Sequence, residues 1–100
     1  MTYETGSLDA TLSAAAGNDP EMLRELRNAF IESVARQVDL LERSRCDGNW
    51  RFAAMRLKGL AASFHAGDLQ TLAEAALAAA PGEPTVVRAL KRFIDAFSTD

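Results

Sequence analysis

Apolar residues return every three or four positions along nearly the whole chain, the period of amphipathic helices, and no stretch alternates apolar with polar as a half-buried strand would. A short first helix is predicted from Leu8 to Ala16, with Ser7 as its N-cap and "GND" at 17–19 as its stop, burying Leu8, Leu12 and Ala15. The second start signal is stronger. Asp19 can accept from orphan backbone N–H groups, Pro20 fits the first helical position, and Glu21 and Glu25 suit the positive helix end. Leu23, Leu26, Phe30, Val34, Val38 and Leu41 then form one stripe, ending near "SRCDGN".

Asn49 is expected to cap a third helix from Trp50 to about Ala66, with Trp50, Ala53, Leu57, Leu60, Ala61 and Phe64 as its stripe. Gly67 is expected to stop it, and Asp68 to cap a fourth helix carrying Leu69, Leu72, Ala73, Ala76 and Leu77. "PGEP" at 81–84 reads as a turn. Val86, Leu90, Phe93 and Phe97 mark a last helix, with Lys91 and Arg92 toward its negative end. Five such segments with short connections predict an all-α domain over residues 8–97: an up-and-down antiparallel four-helix bundle with a short additional N-terminal helix. Residues 1–7 are expected to be a flexible lead-in.

Composition narrows the function. The chain has 100 residues, 48% hydrophobic and 25% charged, with a formal net charge of −3. One ordinary globular domain fits. The acidic balance argues against nucleic acid and anionic membrane as partners. The N-terminus lacks a basic region followed by an apolar run, no segment approaches a membrane span, and the single Cys46 has no partner for a disulfide or metal site, so a cytoplasmic protein is expected. No nucleophile–base arrangement, paired carboxylates, phosphate loop or metal-ligand spacing can be assembled; the expectation is a non-enzyme without cofactor or metal.

One face of the third helix is left over from the core. With residues about 100° apart, its apolar stripe lies within roughly 80° of Trp50, while Met55, Gly59, Ala62 and Ala66 gather at about 120–180°. Lys58 stands at the edge of this small, smooth face. A mid-helix glycine costs about 1 kcal/mol against alanine. It is either tolerated on an alanine-rich helix or kept so that a partner's backbone or a bulky anion can approach.

The residues on this helix resemble a family. "AMRLKG", residues 54–59, is similar to the A-H-x-L-K-G signature of histidine-containing phosphotransfer (HPt) domains of bacterial phosphorelays, matching at Ala54, Leu57, Lys58 and Gly59. "GNDPEMLRELRNAFIESVARQVDLLERS" before it and "LQTLAEAALAAA" after it resemble the family's neighbouring helices, so the likeness extends over about residues 8–97. The resemblance implies a four-helix bundle that docks on response-regulator receiver domains or histidine kinases.

Met55 departs from the family where its phosphoryl-carrying histidine belongs. A thioether has no basic nitrogen and forms no phosphoramidate. Lys58 and Gly59, which in the family assist phosphate approach and leave room around the imidazole, remain. His65 is the sole histidine. It lies ten residues on, roughly 15 Å along the helix and about 80° around it, so a receiver docked on Lys58 and Gly59 would not reach it.

Three functional readings follow. The first is a non-phosphorylatable, monomeric HPt-like module that binds a receiver domain or kinase through Met55, Lys58, Gly59, Ala62 and Ala66, with Arg36 and Arg43 of the second helix contributing. The second is an active phosphotransfer protein using His65. The third is a helical scaffold or dimerisation domain with Gly59, Ala62 and Ala66 as the seam.

Overall fold

The computed structural model describes residues 6–98. Among them the chain forms five helices and no strand: α1 (Gly6–Ala16), α2 (Pro20–Glu42), α3 (Asp47–Ser63), α4 (Gly67–Ala78) and α5 (Pro84–Ser98). The fold is all-α, as the periodicity predicts.

The first helix starts earlier than expected. Gly6 and Ser7 belong to its first turn, and the Ser7 carbonyl accepts from the Thr11 hydroxyl at 2.9 Å, so Ser7 is not the cap. Residues 1–5 of the expected lead-in lie outside the described residues. The helix buries Leu8, Leu12 and Ala16, while Ala15 is exposed. Leu8 and Ala16 flank Leu12 at about 40° on either side, whereas Ala15 lies about 60° away, beyond the edge of the contact with α2.

Gly17 and Asn18 take φ of 62° and 67° and turn the chain. Glycine and asparagine are the residues that tolerate this left-handed region most readily. Asp19 then caps α2 as expected, its Oδ1 accepting from the backbone N–H of Glu21 at 3.0 Å and Met22 at 3.3 Å. Phe30, Val34, Val38 and Leu41 are buried, with Leu23 and Leu26 half-buried at the margin. Arg27 ties three helices together: it bonds Asp9 of α1 at 2.8 Å and its guanidinium lies 4.3 Å from the centroid of the Phe97 ring of α5.

The start of α3 corrects a second boundary. Cys46, not Asn49, is the N-cap, and its carbonyl accepts from the Trp50 N–H at 3.1 Å. Asn49 sits inside the first turn. The early start places the Asp47 carboxylate at the positive helix end, where an anion is favoured.

The link between α3 and α4 is the clearest correction. The helix ends at Ser63 rather than near Ala66, and His65, not Gly67, supplies the left-handed residue that stops it, at φ 57°. Ala66 N–H donates to the Ala61 carbonyl at 2.8 Å and His65 N–H to the Ala62 carbonyl at 3.4 Å, the paired bonds of a Schellman ending. Gly67 is instead the first residue of α4, whose N-cap is Ala66 with no side-chain cap bond. Asp68, two residues past the cap position, contributes its charge to the first turn.

The core joins these helices in order. α2 packs on α3 and on α5, α3 on α4, α4 on α5, and α1 lies on α2. Trp50 is buried and its Nε1–H donates to the Ala76 carbonyl at 2.8 Å, pinning α3 to α4. The Phe30 ring meets Phe64 at 5.0 Å and Phe97 at 5.5 Å between centroids. Along α5 the buried residues are Val87, Leu90, Phe93 and Phe97, with Val86 only half-buried. Lys91 and Arg92 fall in the middle of α5 rather than toward its end; Lys91 reaches Glu42 of α2 at 2.9 Å. No described helix is long and apolar enough to cross a membrane.

Glu83 begins α5 in place of a conventional cap. Its Oε2 accepts from the Thr85 hydroxyl at 2.7 Å and from the Thr85 N–H at 3.1 Å, and these bonds, side chain first, hold its carboxyl below the ordinary glutamate value, with Arg88 adding a smaller pull. A depressed folded-state value means that the cap's contribution is present above the unfolded pKa and lost as pH falls through the folded one. Acidification through and below the ordinary carboxylate range should therefore lower the protection of the Thr85 amide, its hydrogen-exchange rate taken relative to the intrinsic rate at each pH. Glu83→Gln should remove this pH dependence; an unaltered profile in that variant would assign the effect elsewhere.

Candidate partner-binding face of the third helix

The buried stripe of α3 fixes what its far side presents. Trp50, Ala53, Ala54, Leu57 and Ala61 are buried, which turns Met55, Gly59 and Ala62 outward. Met55 is 51% exposed, a large fraction for an apolar side chain. A Cβ added at Gly59 would meet nothing within 4 Å. The packing of this chain therefore gives no reason for the glycine.

Ala66 does not belong to this face. It is 4% exposed and packs in the core, because the chain has already left the helix at His65 and turned inward. The predicted surface loses one member, and a dimer seam of Gly59, Ala62 and Ala66 loses its third small residue. His65 is exposed on the connection, in the left-handed backbone conformation that ends α3.

Lys58 lies on the α4 side of the face. Its Nζ is 3.7 Å from Glu74 Oε2, with both side chains about half exposed. Exposed pairs of this kind contribute little and are readily exchanged for another anion.

Phe52 is a surface residue that the sequence reading passed over. It is 55% exposed, the most exposed of the large apolar side chains among the described residues, and the Arg56 guanidinium lies 5.1 Å from its ring centroid. On a helical wheel it is about 60° from Met55 on the outward side. That outward position was the available signal: an aromatic outside its own helix's stripe. Phe52, Met55, Gly59 and Ala62 thus make a continuous outer strip on α3, bordered by Lys58 on one side and Arg56 on the other.

This surface holds no basic nitrogen at position 55, and among the described residues no three His, Cys, Asp or Glu side chains gather as a metal site would need. What it presents is an adaptable thioether and an aromatic ring, an absent side chain between helical turns, and cations at both margins. Compared with family models, with curated proteins and with solved structures, the chain matches none of them.

Proposed function

We propose that this chain is an HPt-like module that binds a receiver domain or histidine kinase through the outer face of α3 and does not carry phosphate at position 55. The observation that carries this reading is the exposed Met55 one turn from an unobstructed Gly59, within a stretch similar to the phosphotransfer signature. The architecture proposed with it is an up-and-down antiparallel four-helix bundle of α2–α5 with α1 alongside. The cyclic packing order and connections of three to five residues between α2 and α5 support it.

The physical case for binding is direct. Covering Met55 removes apolar area from water without desolvating a charge, and the thioether chain adapts to the surface that meets it. The gap at Gly59 lets a partner's backbone come close, and Lys58 can leave Glu74 for an arriving carboxylate or phosphate.

Gly59→Gln separates binding from folding. The added side chain enters open space on a helix, where glutamine has a better propensity than glycine, so stability should be unchanged or higher. Affinity for a cognate receiver domain, measured by titration calorimetry with the receivers of the same cell, should fall about tenfold or more in this variant and in Met55→Glu, roughly 1.4 kcal/mol of binding energy. Equal affinity in both variants would remove this face from the binding site.

A further inference from the structure

We infer that the groove between α2 and α3 is a docking site for an acidic amphipathic segment of a partner protein, one bulky apolar side chain of which sits between Leu40 and Phe52. Two adjoining depressions, of about 390 and 420 Å³, run along this seam and share Gln37 and Arg56 in their walls. The inference does not rest on the receiver-binding reading.

Gln37 joins the two depressions, lining both. It is the only polar side chain buried among the described residues, 9% exposed, and its Oε1 is shielded from solvent.

The walls define the occupant. Leu40 and Phe52, each more than two-fifths exposed, present apolar area on opposite sides of the first depression. Arg36 and Arg56 have no ion pair among the described residues, and Arg43 is paired only with Asp39 of its own helix, at 3.0 Å. On a chain of net charge −3 this seam is locally cationic. Carboxylates answer guanidinium forks in a geometry that few other groups match. A second copy packed symmetrically groove to groove would instead set arginine against arginine. An acidic helix laid along the seam answers both the apolar slot and the cationic rims, with its apolar side chain in the slot and its carboxylates along the rims.

The test uses the full chain and a fluorescein-labelled helical peptide about four turns long, with leucine and phenylalanine on one face and glutamate on the other. A matched peptide has lysine in place of glutamate. The acidic peptide should bind at least tenfold more tightly than the lysine peptide, shift the amide resonances of α2 and α3 around Gln37, Leu40 and Phe52, and weaken as salt is raised. Arg36→Glu combined with Arg56→Glu should lower affinity tenfold or more with an unaltered circular dichroism spectrum. Equal binding of the two peptides, shifts confined to another face, or a stable dimer in sedimentation that excludes the peptide would each overturn the assignment.

Discussion

Trp50→Ala should destabilise the domain by about 3–5 kcal/mol, the usual range for deleting a buried aromatic side chain. Domains of this kind have about 5–15 kcal/mol in total, so the variant should sit near the edge of folding at physiological temperature. The size follows from position. Trp50 is 2% exposed, fills the space between α3 and α4, and donates its Nε1–H to the Ala76 carbonyl at 2.8 Å. Truncation removes the ring contacts and opens a cavity that the short alanines Ala53, Ala54, Ala73 and Ala76 around that seam are poorly able to fill. Trp50→Phe removes the hydrogen bond while keeping most of the aromatic bulk. The Ala76 carbonyl keeps the Ala79 N–H at 3.2 Å, so this variant should lose much less than the alanine variant. Urea unfolding followed by circular dichroism measures both, and a loss under about 1 kcal/mol for Trp50→Ala would show that the seam is held elsewhere.

The same residue illustrates what could be read before the structure. Trp50 opens an apolar stripe whose period names the core-facing side of α3: Trp50, Ala53, Leu57 and Ala61 are buried as expected, Ala54 joins them, and Leu60 and Phe64 are only half-buried at the margin. Periodicity constrains faces well because a wrong face would expose the whole stripe to water. Boundaries are constrained less, because several residues compete for each cap. Asp19 won at α2 with two side-chain bonds, yet at α4 Asp68 did not cap, since the backbone of His65 and Ala66 had already closed α3 one turn earlier. No composition rule favours histidine over an adjacent glycine for the left-handed position, so that choice was not legible. Ala66 left the candidate face for the same reason: a wheel carries a residue around a helix only while the helix lasts. The groove escaped the sequence reading because Gln37, Leu40, Phe52 and Arg56 come from two helices, and their meeting depends on how α2 packs on α3.

Met55→His should convert a chain that takes no phosphoryl group at this position into one that does, if the outer face of α3 docks receiver domains as proposed. The position tolerates the change: Met55 is half exposed, and imidazole there displaces nothing from the core. In the transfer, the ring nitrogen without a proton attacks the phosphorus of a receiver's aspartyl phosphate; the new N–P bond forms as the P–O bond to the aspartate breaks, and the carboxylate departs with the bonding pair. The proton stays on the other ring nitrogen. Lys58, one turn away and held only loosely by Glu74, can shield the phosphoryl oxygens, so adding Lys58→Ala to Met55→His should slow labelling. Incubation with phosphorylated receiver domains should give an acid-labile, alkali-stable phosphoprotein for Met55→His and none for the unsubstituted chain. Label on the unsubstituted chain would point to His65, the sole native imidazole, and overturn the non-phosphorylatable reading. A folded Met55→His protein left unlabelled by every receiver tried would mean that the retained Lys58 and Gly59 no longer mark a phosphotransfer surface.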